Sequence, residues 1–169
     1  MQFKTLGLYL LVVIAVLGIG FLLFQSEQTT EQNLPGTFYE SQGQTHIDPG
    51  FTDHPAYSSN PPTSGWHWPQ AAPWGVYDVT QPDEQLIHNL EHGGIWVSYK
   101  LSTVDAETIA KLKDFTKRYR KIIVEPREAN EANISLAAWT RLENLDQYDE
   151  AKIVTFIQAL YDQGPEKVD

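Results

Sequence analysis

Asp83-Glu84-Gln85-Leu86-Ile87-His88-Asn89-Leu90-Glu91-His92-Gly93-Gly94, continued by Ile95-Trp96-Val97-Ser98-Tyr99-Lys100, sets a helical period directly beside a strand period. Asp83 fits a helix cap, Leu86, Ile87 and Leu90 form an apolar arc, and Gly93-Gly94 fits the stop. The spacing predicts a helix over 83–92. Ile95 to Lys100 then alternates apolar and polar residues, as a strand with one buried face would.

Downstream the pattern stays regular. Residues 105–119 read as an amphipathic helix with Ile109, Leu112, Phe115 and Tyr119 on one face. Asp105 and Glu107 lie at its start and Lys117, Arg118 and Arg120 at its end, where the helix dipole favours them. Residues 121–125 and 134–139 read as strands. A last helix over 149–162 aligns Ile153, Phe156, Ile157 and Leu160 and stops at Gly164-Pro165. With a short strand over 75–79 the order becomes β-α-β-α-β-β-α, an α/β (or α+β) class. That order resembles a thioredoxin-like layout, with a ferredoxin-like sandwich as the alternative. The resemblance is topological, and a fold does not fix a function.

Upstream, residues 37–82 hold no lasting period, yet carry Phe38, Tyr39, Phe51, Tyr57, Trp66, Trp68, Trp74 and Tyr77. Disordered linkers are poor in such residues, so this long loop segment is expected to pack onto the regular half, 83–169. Residues 25–36 are polar and read as a linker. Residues 6–24 are apolar without a charge, and as a helix would span about 28 Å, enough to cross a bilayer. Lys4 precedes this run while Glu27 and Glu31 follow it. The expectation is a single-pass anchor with residues 1–5 in the cytoplasm and 37–169 as one extracytoplasmic domain, periplasmic or extracellular. A signal-peptide cleavage site wants small residues at the third and first positions before the cut, and Phe21-Leu-Leu-Phe-Gln-Ser26 offers little of that, so the anchor is expected to stay uncleaved.

The chain's 169 residues give a formal net charge of -10, and it contains no cysteine. Nucleic acid, whose phosphates need a basic surface, is disfavoured as a partner, while cations are attracted. Disulfides, thiolate nucleophiles, iron–sulfur clusters and zinc ribbons are excluded.

Chemistry gathers at histidine. All five histidines, His46, His54, His67, His88 and His92, precede Gly93. His88 and His92 are one helical turn apart, on a face roughly opposite the apolar arc. His67 sits in Asn60-Pro-Pro-Thr-Ser-Gly-Trp-His-Trp68, where two prolines and a glycine turn would hold it in place between tryptophans.

These motifs carry a resemblance. Pro61 to His67, Gly75 to Tyr77 and His88 to Gly94, with His46 upstream and Ala138 to Leu142 downstream, are similar to an uncharacterised bacterial and archaeal family of membrane-anchored extracytoplasmic domains of unknown function. Trp66 and His54 depart from that pattern. The resemblance implies a recurrent site without naming an activity.

Three functional readings follow. The first is binding of a divalent metal, zinc or copper, through His67, His88 and His92, with His46 or a carboxylate as fourth donor. The second is a non-catalytic interaction module of the cell envelope with an unknown protein partner. The third is a zinc-dependent hydrolase in which H-x-x-E-H supplies two ligands and Glu91 the general base.

Overall fold

The computed structural model describes residues 14–21, 23 and 33–167, in two units, Met1–Leu34 and Pro35–Asp169. In the first unit residues 14–21 and 23 are helical, and their apolar side chains are exposed. The rest of the expected 6–24 anchor, residues 1–5 and most of the 25–36 linker lie outside the described residues. Among the described residues no helix is long and apolar enough to cross a membrane.

The second unit is a mixed α/β domain. In chain order its elements are β1 (Thr37–Phe38), β2 (Gly75–Val76), α1 (Asp83–Glu91), β3 (Ile95–Tyr99), α2 (Ala106–Arg118), β4 (Ile122–Pro126), β5 (Ile134–Ala138), β6 (Arg141–Leu145) and α3 (Glu150–Leu160). The strands form one sheet in the order β1-β6-β5-β3-β4-β2. β3 and β2 run parallel to β4, while β5 is antiparallel to β3 and β6 to β5.

The sheet has two more strands than the expected four. β6 was hidden because its hairpin turn, Trp139-Thr140, lacks the glycine or asparagine that usually marks one. Thr140 takes the left-handed conformation instead, at φ 61°. The turn is pinned on both sides, since Thr140 N–H donates to the Thr63 carbonyl and the Thr140 carbonyl accepts from Tyr39 N–H. β1 is only two residues long and is drawn in by pairing with β6.

β3 is buried at every position, so the expected alternation of wet and dry faces does not hold. Its one polar member, Ser98, is satisfied by Asn130, with the oxygens 3.1 Å apart and the Asn130 amide 3.0 Å from the hydroxyl. Cross-strand registers place Ile123, Trp96, Ala137 and Leu142 in one row. Leu86 and Leu90 of α1 pack on that row together with Ala72, Tyr39, Trp74 and Tyr77 from the aromatic segment. The alternate row, Val97, Val124 and Leu136, is equally buried. α2 packs against β4 and α3 against β5. Asp105 caps α2 through Thr108 N–H and Asp149 caps α3 through Lys152 N–H, as their positions suggest.

Asp83 does not cap α1. Pro82 occupies that position without a side-chain bond, and Asp83 instead forms a two-point ion pair with Arg127, at 2.9 and 2.6 Å. Arg127 also donates to Asn60 (2.6 Å) and Asn130 (3.0 Å), tying the aromatic segment to the end of β4. Beside it Glu125 is fully buried, accepting from Trp96 Nε1–H at 3.0 Å and Gln81 N–H at 2.6 Å.

Burial pushes the Glu125 carboxyl up to about 7, with the Asp83 charge adding to the rise. Those two hydrogen bonds and the Arg127 charge hold it back only in part. A carboxyl that titrates higher in the folded than in the unfolded chain contributes stability below the unfolded value, which is lost as pH rises through the folded one. Wild-type stability from this group therefore declines between about pH 4.5 and pH 7, by about 3 kcal/mol at most. His67 and His92 are lowered by burial and act in the opposite sense, so a difference measurement is needed. Urea unfolding of wild type and Glu125→Gln should give a stability difference that changes by that order across this window. A pH-independent difference would show that Glu125 is ionised throughout.

Candidate metal centre

The site is built where the aromatic segment covers α1. Residues 43–47 and 65–67 run side by side as a short parallel pair, with an isolated bridge between His46 and His67. Ile47 N–H donates to the His67 carbonyl at 2.8 Å and His67 N–H to the Thr45 carbonyl at 3.0 Å. Gly65, at φ +119°, makes the turn, and a Cβ there would crowd the Tyr57 ring at 3.1 Å. Tyr57 Oη donates to the Trp66 carbonyl at 2.6 Å. Burial raises the Tyr57 pKa, helped by the nearby Glu84 and Asp83 charges, so the phenol stays a donor.

This pair is fastened to α1 by main-chain and amide contacts. Trp68 N–H donates to the Glu84 carbonyl at 3.0 Å. Asn89 clasps Ala72 with two bonds of 2.9 Å, donating to its carbonyl and accepting from its N–H. The helix face bearing His88, opposite the apolar arc, is thereby roofed by the segment that carries His46 and His67.

Four side chains converge under that roof. His46, His67, His88 and Glu91 each offer one ligand atom, all within 4.8 Å of one another. His67 Nε2 lies 2.8 Å from Glu91 Oε2, and His46 Nε2 lies 3.9 Å from the same oxygen. The His46 and His88 rings stack at 5.2 Å with a 10° interplanar angle, and His67 stands edge-on to both. His67 and Glu91 are almost wholly buried, while the His46 side chain is 49% exposed.

Tautomers are set by the backbone. His67 Nδ1 lies 2.7 Å from the Gly65 carbonyl and His88 Nδ1 lies 2.7 Å from the Trp68 carbonyl. A carbonyl only accepts, so both Nδ1 atoms carry protons, leaving His67 Nε2 against Glu91 and His88 Nε2 against His92. The short His67 Nε2–Glu91 Oε2 contact then requires one further proton shared between them. Glu91 Oε1 accepts from Gln44 Nε2 at 2.5 Å, so both carboxylate oxygens are engaged. Burial lowers the His67 pKa, opposed by the Gly65 carbonyl and by Glu91.

His92 stands outside this group. It joins His88 and Glu166 in a second set of three donors, with Nε2 2.9 Å from His88 Nε2 and 3.1 Å from Glu166 Oε2. Burial and the neighbouring His88 lower its pKa. Glu166 arrives on the returning C-terminal segment. Asp162 N–H donates to the Gly93 carbonyl at 2.8 Å and Glu166 N–H to the Glu91 carbonyl at 3.1 Å. Gly93, at φ +76°, provides the left-handed turn that ends α1. His54 is elsewhere, 3.5 Å from Glu84 and against Tyr57.

Sequence reasoning named His46, His67, His88 and His92 as donors and reserved Glu91 for a basic role. It found neither Glu91 as a member of the inner group nor Gln44 and Glu166. Glu91 was within reach of the helical period, since it lies one turn from His88. Glu166 lies 74 residues from His92 and carried no local signal.

Residues 52–169 match a family described as "Protein of unknown function (DUF3105)". The chain belongs to that DUF3105 family. The match includes His67, His88, Glu91, His92 and Glu166, whereas His46 precedes its start. No curated protein and no solved structure matches the chain.

Removing the Asn89 amide would leave the buried Ala72 N–H and carbonyl without partners. Asn89→Ala should therefore lower unfolding free energy by about 2–4 kcal/mol. Amide exchange should quicken across residues 43–72 before it quickens in β3 and β4. Uniform loss of protection would show instead that the segment and the sheet open as one unit.

Proposed function

We propose that this DUF3105 domain binds one divalent metal ion, zinc or copper, through His46, His67, His88 and Glu91. The observation that carries the reading is the convergence of His46, His67, His88 and Glu91 within 4.8 Å, with the Nδ1–H bonds to the Gly65 and Trp68 carbonyls leaving Nε2 as the ligand nitrogen of His67 and of His88. Such backbone acceptors fix ring orientation and raise ligand basicity at histidine metal sites. Three imidazoles and a carboxylate without sulfur suit Zn²⁺ or Cu²⁺. The formal charge of -10 raises the local concentration of cations. Both oxygens of Glu91 are engaged, which favours a donor role over that of a general base for water. The engaged Glu91 also favours metal holding over the hydrolase reading of H-x-x-E-H.

The thioredoxin-like layout belongs to this proposal as well. The parallel β3–α2–β4 unit, extended by antiparallel β5 and β6 and followed by α3, supports it over the ferredoxin-like alternative.

Isothermal titration of the full chain, without a histidine tag, tests the site. Wild type should take up Zn²⁺ or Cu²⁺ and release about one proton per ion, the one now shared by His67 and Glu91. His67→Ala and His88→Ala should each weaken binding by roughly 10- to 100-fold or more, and His54→Ala should have little effect. Affinity should fall as pH drops through the imidazole range, because protons compete for the same lone pairs. Wild type that binds neither ion would turn the reading toward the interaction module.

The anchor is proposed on the uncharged run of residues 6–24, with Lys4 before it and Glu27 and Glu31 after it. A reporter fused after Asp169 should be active only outside the cytoplasm. Activity of the fusion inside the cytoplasm would reverse the orientation.

A further inference from the structure

His88 belongs to two donor groups at once. The inner group is His46, His67, His88 and Glu91, and the outer group is His88, His92 and Glu166. A bridging imidazolate would serve both by using its two nitrogens. His88 cannot do so, because its Nδ1 proton is committed to the Trp68 carbonyl at 2.7 Å. One lone pair, at Nε2, must serve whichever ion is present. Two dications this close would also repel each other with only Glu91 and Glu166 to compensate them.

We infer that the two groups are successive stations for a single divalent cation, an outer loading station and an inner holding station, with His88 Nε2 as the ligand kept during transfer. This rests on the metal-binding reading above. Each group has one half-exposed member, His46 at 49% in the inner and Glu166 in the outer, and it is the remaining donors that differ. The Glu166 side chain is 50% exposed and His92 17%, against 0% for His67 and 3% for Glu91. A half-exposed carboxylate can take up a hydrated cation without first losing its own solvation, and His92 then supplies nitrogen. Transfer inward exchanges His92 and Glu166 for His67, Glu91 and His46, whose donor atoms lie within the same few ångströms of His88.

The outer station is built into the fold. The strap that carries Glu166 is registered by Asp162 N–H on the Gly93 carbonyl and Glu166 N–H on the Glu91 carbonyl. Gly164 packs so closely there that an added Cβ would lie 2.1 Å from the Glu91 carbonyl oxygen. Glu166 is therefore set over His92 by main-chain contacts at the end of α1. The competing route is direct entry past His46, through the open groove of about 300 Å³ lined by Thr45, Ile47, Asp48, Phe51 and Trp66.

Stopped-flow loading of the full chain with Zn²⁺, and its release to a chelator, distinguish the two routes. The expected results are one ion per wild-type chain, and loading and release that slow together, by about tenfold or more, in Glu166→Gln and in His92→Ala. Gly164→Ala, which lifts the strap without removing a donor, should slow both rates in the same way. Unchanged loading in all three variants would establish entry past His46 and overturn the proposal. Two ions per wild-type chain would overturn it in favour of separate sites. A loss of binding carried by faster release alone would overturn it by making His92 and Glu166 ligands of the holding site. If wild type binds no Zn²⁺ or Cu²⁺ at all, it is the metal-binding reading that fails, and this one with it.

Discussion

The double hydrogen bond between the Asn89 side chain and the Ala72 backbone is the constraint on which the site depends. α1 must satisfy two environments. Leu86 and Leu90 face the sheet, while His88, Asn89 and Glu91 bring polar atoms into the protein interior on the other side. Buried polar atoms are tolerated only when paired. Asn89 supplies the pairing that brings the aromatic segment down onto the helix, and the descending segment supplies the rest. It delivers the Trp68 carbonyl to His88 and His67 to Glu91. A segment with almost no regular hydrogen bonding of its own is ordered by the helix it covers. The indole and phenol rings it buries against Trp96 and Ile123 offset part of its ordering entropy.

This arrangement explains each position in His88-Asn89-Leu90-Glu91-His92-Gly93-Gly94. His88 and Glu91 face the roof, Asn89 holds it down, and Leu90 enters the core. His92 turns toward the strap, and Gly93 permits the left-handed turn. Gly94 has no room for a side chain, because a Cβ would lie 2.3 Å from the Trp74 ring. The motif is short because one and a half helical turns must serve the sheet, the roof and the C-terminal strap together.

That economy also determines what could be read from sequence. The apolar arc of α1, the starts of α2 near Asp105 and of α3 near Asp149, and the packing of the aromatic segment onto the regular half were legible, because each rests on local periodicity or on composition. The exclusion of thiol chemistry and the clustering of histidines before Gly93 needed no structure. What could not be read depended on distant partners. Asp83 has the sequence position of a cap, but Arg127 lies 44 residues away in sequence and the two-point ion pair takes the carboxylate instead. Ser98 alternates as a solvent-facing residue would, yet Asn130 satisfies it inside the protein. β6 was missed because Thr140 makes a left-handed turn that sequence rules reserve for glycine or asparagine, and contacts from Thr63 and Tyr39 hold it there.

The position of the cluster on α1 has an electrostatic consequence. Helix carbonyls point toward the C-terminus, where the aligned peptide dipoles leave partial negative charge that favours a cation. His88, Glu91 and His92 all occupy the last turn or the residue that ends it. The strap takes up the Glu91 and Gly93 carbonyls through the Glu166 and Asp162 N–H groups and adds the Glu166 acid, while the Lys121 ammonium, paired with Asp162 at 2.6 Å, already reaches the His92 carbonyl at 3.4 Å. The donors are thus gathered at the end of α1 best suited to positive charge. The same three side chains at its N-terminus would meet exposed N–H groups that oppose a dication. Helix polarity, the imidazole orientation imposed by the Gly65 and Trp68 carbonyls and the net acidity of the chain all act in one direction, toward holding a cation at the end of α1.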